Sequence, residues 1–461
     1  MILADESQAM VVEDQEMTFL EALNLASQLH RGCQLEAAEM LYRNLLAGWP
    51  QEPNSMHYLG VLLCQSGRIE EGLPMIRQSI ESDSGVAAWH NNLGNVMLDA
   101  GRFDEASQAY QRCLTVDPSQ VDVLNNLGVL QTRLGHLPDA ESTLLQAVAR
   151  NPDFAAAHYN LASLCFSQRR FDEGFAHSAN ALSLEPRHRG TLQLLGLAYA
   201  RMGRNDLAAA IYREWLSLEP DSALARHQLA GCSGEQVPDR ASATYVEEVF
   251  DSFAKSFDAK LQSLDYCAPQ LVGEAVGGLF QLANKSLAVL DAGCGTGLCG
   301  PWLIPYAQRL VGVDLSQAML ERAAQRDIYH ELVKADLVAF LQSQEPVFDL
   351  VASADTFCYF GRLDQAFQGA ANALRADGVL CFTVEAHEDV ERPGYWLYPH
   401  GRYSHHRSFV ESELLQAGFG PPQFSSVVLR QECGVPVAGW LVSARRLSSH
   451  VDLIANGKKD G

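Results

Sequence analysis

Asp291-Ala-Gly293-Cys-Gly295-Thr-Gly297 is a run whose residue types and spacing suit a ligand cradle. It follows the apolar stretch 287–292. Glycines there let a strand-to-helix turn come within contact distance of a ligand, with a helix amino terminus just behind. Alone, the pattern is shared by dinucleotide enzymes and plain tight turns, and two acids narrow it. Asp314 ends the next apolar run, seventeen residues after Gly297, where a carboxylate can accept both ribose hydroxyl protons. Asp336 follows a third run in Lys-Ala-Asp336-Leu337, placed to accept from an adenine amino group while the adjoining backbone meets the ring. Between them, Leu315 and the flexible, polarisable Met319 offer apolar cover for an adenine face.

The elements that must position these residues alternate. Strand-like runs at 287–292, 309–314, 331–335, 348–353 and 379–384 are separated by helical stretches, which predicts a doubly wound α/β sheet. Two closing runs, 424–429 and 437–444, are joined by a short turn and should pair antiparallel. VLDAGCGTG, VGVDLSQAML and KADL together resemble the cofactor half of the class I S-adenosylmethionine-dependent methyltransferases, over roughly residues 245 to 445. The closing hairpin matches that family too. The resemblance implies a Rossmann-like methyltransferase domain with S-adenosyl-L-methionine as cofactor. Asp291 and the loop Gly293, Gly295, Gly297 would hold its methionine end, Asp314 the ribose, and Met319, Asp336 and Leu337 the adenine, beside Leu315. An NAD enzyme is the chief competitor; its loop usually reads G-x-G-x-x-G, whereas here the third glycine comes one place early.

Methyl transfer consists mostly of holding a nucleophile in line with the sulfonium methyl, about 3 Å away, with desolvation and sometimes a base assisting. Three stretches are candidates for that work. YVEEVFDSFAKSFDAKL, from 245 to 261, sets Phe250, Phe253 and Phe257 at helical spacing and resembles the lid helix of such enzymes; core packing explains the aromatics equally. Asp355 and Tyr359 follow the fourth run, at the strand end where open α/β sheets place ligands. They could orient or deprotonate an acceptor, or Asp355 could cap the following helix. The third stretch is Tyr398-Pro-His400-Gly-Arg402-Tyr403-Ser-His405-His406-Arg407. Similar repeat-linked methyltransferases carry a comparable Gly-Arg-Tyr-x-His. A neutral imidazole at His405 could take the acceptor's proton, Arg402 could hold a carboxylate, and Tyr403 lies between them. A zinc site from these histidines is disfavoured, because no cysteine or carboxylate lies nearby at ligand spacing.

The first half is periodic. Pro118, Pro152, Pro186 and Pro220 are each 34 residues apart, and the register reaches back to Pro50, with Ser84 at the intermediate step. Gly60, Gly94, Gly128, Ala162 and Gly196 keep the same period, as do Gly67, Gly101, Gly135, Arg169 and Gly203. This resembles the tetratricopeptide repeat, in which small residues sit where paired helices cross and proline ends the second helix. About six units fit from Met17 to Pro220, with a capping helix over 222–232. Asn92, Asn126 and Asn160 share one repeat position and predict a ladder able to pair with a peptide backbone, as in the superhelix of O-linked N-acetylglucosamine transferase. Tyr58 and Leu194 break the ladder at its ends, and asparagine also serves ordinary structural ends there.

The reading is therefore two-part: an all-α repeat solenoid followed by an α/β Rossmann-like domain. The expected segments are a flexible 1–16, an array over 17–235, a linker over 236–244, the methyltransferase domain over 245–447 and a flexible 448–461. The linker follows from the turn-rich SGEQVPDRASAT. A 461-residue chain that is 47% hydrophobic can bury a core in each part. Its net charge of −22 disfavours nucleic-acid partners, which are bound chiefly through lysine and arginine at phosphates. Eleven scattered cysteines read as reduced thiols, and no export signal or long apolar span is present, so a cytoplasmic protein without membrane contact is expected. The expected function is methyl transfer to a protein or peptide bound by the repeats. The alternatives are a small or carrier-bound acceptor, and an interaction or assembly protein whose cofactor fold is non-catalytic.

Overall fold

The computed structural model describes residues 9–12, 15–280, 283–389, 391–432 and 434–448. The expected flexible ends fall largely outside them; within the first, Ala9–Val12 pairs antiparallel with Gln15–Thr18. Contacts divide the chain into two units, Met1–Thr191 and Leu192–Gly461.

In the first unit, helices alternate in pairs, beginning Phe19–Arg31 with Leu35–Gly48 and ending Ala155–Ser167 with Phe171–Leu184. The starts at Phe19, Pro53, Ala87, Val121 and Ala155 reproduce the 34-residue period. Each glycine series has a separate physical cause. Gly67, Gly101 and Gly135 turn the chain between paired helices at φ of 82°, 73° and 79°, a region that Arg169 also enters at 61°. The other series lies where helices cross. A Cβ at Gly60 would come 2.7 Å from the carbonyl oxygen of Gly72, and one at Gly94 would come 2.4 Å from the Tyr110 ring.

The division falls inside the helix Arg189–Arg201, and the second unit goes on with Asn205–Leu218 and the helix Ala223–Ser233, capped by the Ser222 hydroxyl accepting from the Ala225 N–H. Repeat helices thus stand on both sides of the division in sequence, and it falls well before the expected linker at 236–244. The physical reason is that Ala223–Ser233 is bonded into the α/β part: His227 Nε2 lies 2.9 Å from the Gly401 carbonyl and its ring 4.1 Å from that of Tyr245.

The α/β part is a nine-stranded sheet. Its strands are β1 (Leu287–Ala292), β2 (Ala307–Asp314), β3 (Glu331–Lys334), β4 (Phe348–Ser353), β5 (Leu374–Ala386), β6 (Tyr395–Leu397), β7 (Tyr403–His405), β8 (Gln423–Glu432) and β9 (Val435–Arg445). The main order is β8-β9-β5-β4-β1-β2-β3, with β9 antiparallel to β5 and to β8 and the inner strands parallel. The short β6 and β7, unforeseen in the sequence, pair with each other, and β7 also pairs parallel with β5. Buried residues of β1, β4 and β5, such as Leu290, Val351 and Phe382, form the core that fixes the strand ends. The order reverses at β1 and β4, so the crevice beyond their carboxyl ends is where such sheets bind ligands.

Candidate cofactor and acceptor site

The glycine loop leaves β1 with Gly293, Gly295 and Gly297 at φ of 74°, 52° and 82°, all in the left-handed region. Gly293 and Cys294 donate their N–H groups to the Val313 carbonyl. A Cβ at Gly293 would lie 2.1 Å from Thr356 Oγ1, whereas one at Gly295 would find no atom nearer than Phe257 Cε1 at 4.0 Å. Gly293 is therefore needed for packing and Gly295 for the open space in front of it. That space is a cavity of about 240 Å³.

Asp314 anchors the loop: its carboxylate accepts from the Gly295 and Ser316 N–H groups, each at 2.9 Å. Burial raises its pKa against those bonds. Asp291 is 1% exposed and accepts from the Tyr329 hydroxyl at 2.6 Å. Burial pushes its carboxyl up to about 7, the Tyr329 bond works downward, and Asp314 adds to the rise. Asp336 caps the next helix through the Ala339 N–H and pairs with Arg240 Nη1 at 2.9 Å. Asp291, Gly293, Gly295, Asp314, Leu315, Asp336 and Leu337 all line the cavity. Gly297 stands behind it, where a Cβ would meet Tyr329 at 2.9 Å. Met319 departs from expectation: it is fully buried and outside the lining, because its helix turns that side chain into the core. Three carboxylates at the crevice, Asp291, Asp314 and Asp336, with an open backbone approach at Gly295 and apolar Leu315 and Leu337, fit a nucleoside with a charged tail.

The lid aromatics Phe250, Phe253 and Phe257 also face this cavity, with centroids 5.6 to 5.9 Å apart. Their helices are tied down by Asp251 to the Ser316 hydroxyl and by Asp258 to Arg326 at 2.5 Å.

Asp355, Tyr359 and Arg402 line the cavity as well. Asp355 holds φ of 53°, which is uncommon outside glycine, and its carboxylate turns away from the helix-capping role to Arg430 Nη1 at 2.7 Å and the Thr383 hydroxyl at 3.2 Å. Arg430, Glu385 and Glu432 were missed in the sequence, where nothing marks partners so distant along the chain. Glu385 accepts from Arg402 Nε at 2.6 Å and from Arg430 Nη2; Glu432 accepts from Arg430 Nε at 2.7 Å and from Arg402 Nη2. Arg402 thus gives two of its three guanidinium nitrogens, Nε and Nη2, to protein carboxylates.

His405 and Tyr403 lie outside the lining, and this corrects their expected roles. Both are fully buried on β7, whose pairing with β5 and β6 turns them inward. His405 Nε2 lies 3.2 Å from the Gly361 carbonyl, and burial holds its pKa at about 4; the Tyr403 hydroxyl donates to the Pro238 carbonyl at 2.7 Å. They brace the Arg402 loop rather than face an acceptor. No group of metal-ligating side chains occurs among the described residues.

In the first unit, each ladder asparagine reaches back to the preceding repeat. Asn92 Nδ2 lies 3.1 Å from His57 Nε2, Asn126 donates to Asn95 Oδ1 at 3.4 Å, and Asn160 to Asn125 Oδ1 at 2.7 Å.

Comparison with known proteins agrees with both halves. A family model described as "Methyltransferase domain" matches residues 290–380, and three tetratricopeptide-repeat models match 59–121, 97–165 and 190–222. The chain is 28% identical to the 18S rRNA (guanine-N(7))-methyltransferase of Bos taurus, over 32% of this chain and 52% of that one. It is 29% identical to the malonyl-[acyl-carrier protein] O-methyltransferase of Priestia megaterium, over 39% and 64%, and 30% identical to that of Geobacter sulfurreducens, over 37% and 75%. It therefore spans 52% and 64% of the length of the first two of these relatives. With its sheet order and these matches in agreement, the chain belongs to the class I S-adenosylmethionine-dependent methyltransferases, uses S-adenosylmethionine as cofactor, and carries tetratricopeptide repeats ahead of its methyltransferase domain.

Proposed function

We propose that the chain methylates a protein or peptide engaged by its repeats. The observation that carries the reading is that one cavity is lined both by the cradle of Asp291, Gly295, Asp314 and Asp336 and by Asp355, Tyr359 and Arg402. Bound S-adenosylmethionine supplies an electrophilic methyl group. The chain's own residues do the rest. Asp314 holds the ribose hydroxyls, Asp336 and Leu337 the adenine, and Asp291 with the loop the charged methionine tail. Phe250, Phe253 and Phe257 exclude water, which strengthens every electrostatic contact inside. Asp355, fixed by Arg430 and Thr383, faces the space left for an acceptor, and Tyr359 can orient it. Asn92, Asn126 and Asn160 each spend one amide contact on the preceding repeat, and an asparagine side chain has a carbonyl and a second amide hydrogen with which to pair a peptide backbone.

Titration calorimetry with S-adenosylmethionine and S-adenosylhomocysteine tests the cofactor half. Binding should be micromolar in the wild type and fall at least about tenfold in Asp314→Ala, the equivalent of 1.4 kcal/mol; no binding in either protein would end the enzymatic reading. Labelled-methyl transfer into cell lysate, compared between wild type and an Asn92, Asn126, Asn160 triple alanine variant, tests the peptide half. A second reading, a small acceptor on a carrier protein, is favoured by the malonyl-[acyl-carrier protein] O-methyltransferases among the relatives. It predicts label on a carrier-bound thioester and none on a polypeptide side chain. Among the described residues no helix is long and apolar enough to cross a membrane.

A further inference from the structure

The charged wall of the cavity is not balanced. Two guanidiniums, Arg402 and Arg430, face three carboxylates, Asp355, Glu385 and Glu432. His400 does not make up the deficit: its Nε2 is 4.0 Å from Glu385, and burial lowers its pKa. Lys260, also at the cavity, is exposed and sits 5.5 Å over the Phe253 ring. All three guanidinium nitrogens of Arg430, which is 4% exposed, already serve these carboxylates. An incoming carboxylate would meet Arg430 with every nitrogen engaged and Arg402 with Nε and Nη2 engaged, and would add a second uncompensated negative charge. An incoming cation would neutralise the wall.

The rest of the lining suits a cation on an apolar stem. Phe250, Phe253, Phe257, Tyr266 and Tyr359 all face the cavity and offer π faces, which attract ammonium groups when desolvated. Asp355 is held at φ of 53° by its own N–H donating to Thr383 Oγ1 at 2.9 Å, and such strain persists where the surroundings over-determine it. The carboxylate it presents is the one of the three that lines the cavity and is bound by a single guanidinium nitrogen.

Resting on the methyl-transfer reading, we infer that the acceptor is an aliphatic amine, arriving as an ammonium on an apolar stem, and that Asp355 takes its proton. One ammonium N–H bond breaks as a carboxyl O–H bond forms on Asp355. The freed nitrogen lone pair then forms the N–C bond to the sulfonium methyl while the C–S pair returns to sulfur. The product is a methylated ammonium and a neutral thioether. Burial raises the Asp355 carboxyl against the lowering effect of Arg430, in keeping with a base rather than a permanently ionised group.

The same ammonium chemistry belongs to a lysine side chain and to a free diamine. The test is calorimetry on the full chain saturated with S-adenosylhomocysteine, using n-butylamine, butanoate, Nα-acetyl-lysine N-methylamide and cadaverine as probes. n-Butylamine should bind at least about tenfold tighter than butanoate, and Asp355→Asn should remove that preference while leaving S-adenosylhomocysteine affinity within about twofold. Preference for the lysine amide over cadaverine assigns a polypeptide acceptor, and the reverse assigns a small one; both uphold the amine. Butanoate binding as well as butylamine, or amine binding indifferent to Asp355→Asn, overturns the inference while the cofactor reading stands. Failure of S-adenosylhomocysteine itself to bind overturns both.

Discussion

Arg430→Met should be among the most damaging single changes in the second unit without touching its apolar core. Arg430 and Glu385 are 4% and 5% exposed, so removing the guanidinium leaves Glu385 and Asp355 buried with only Arg402 to share. Its size follows from the burial: breaking a buried ion pair by deleting one partner costs about 3–5 kcal/mol. The network's hold on Glu385 shows in its pKa, which burial works to raise yet Arg402, Arg430 and His400 together bring from 4.5 down to about 2. That whole fall corresponds to roughly 3 kcal/mol, of which Arg430 supplies a part, the charge of Arg402 being the largest single lowering influence. Because the folded-state pKa is depressed, this stability is present above the unfolded value near 4.5 and is lost as pH falls through about 2. With two units the chain need not unfold in one step, so the assay should be local. Amide hydrogen exchange on peptides covering β5 and β8 at pH 7 should accelerate by about a hundredfold in Arg430→Met. The double variant Glu385→Leu, Arg430→Met should be less damaged than Arg430→Met alone, since it leaves fewer unpaired charges. A change below about 1 kcal/mol in the single variant, or strict additivity in the double, would refute the view that these charges act as one network.

Asp291 should make S-adenosylhomocysteine binding pH-dependent. Its carboxyl is raised to about 7, so in the free protein its favourable term is present below the unfolded value and lost as pH rises through 7. A cationic ligand amino group prefers the ionised form, and affinity should therefore climb across that range in wild type and stay flat in Asp291→Asn, as read by calorimetry. In the repeats, Gly60→Ala drives a Cβ to 2.7 Å from the Gly72 carbonyl, a backbone atom that cannot swing aside. The thermal midpoint of the first unit should fall by the equivalent of about 1–3 kcal/mol, and an unchanged midpoint would show that the crossing is looser than its geometry.

Much of the fold was legible because its determinants are local. The 34-residue period repeats one helix-pair geometry, so the glycines at crossings and turns recur on schedule, and Arg169 takes the left-handed turn without glycine. Strands β1 and β4 begin and end at the expected residues, since an apolar run bounded by turn residues reports burial directly. The placement of the glycine loop and its flanking acids belongs to the same class: Gly293, Gly295, Asp314 and Asp336 stand at or just past strand ends, and strand ends are local facts.

Only the tertiary structure decided what Asp355 faces. Its guanidinium partner lies 75 residues away on β8, a separation at which no spacing rule operates. His405 looked like a base because a loop rich in titratable groups invites one, but β7 formed against β5 and turned it inward to the Gly361 carbonyl. Met319 likewise belonged to a helix face whose orientation depends on the sheet beneath. The amino-acid sequence alone determined which elements form and which residues stand at their ends, because those follow from neighbours along the chain. Which of those residues meet, and with what charge balance, was left to packing between elements far apart in sequence.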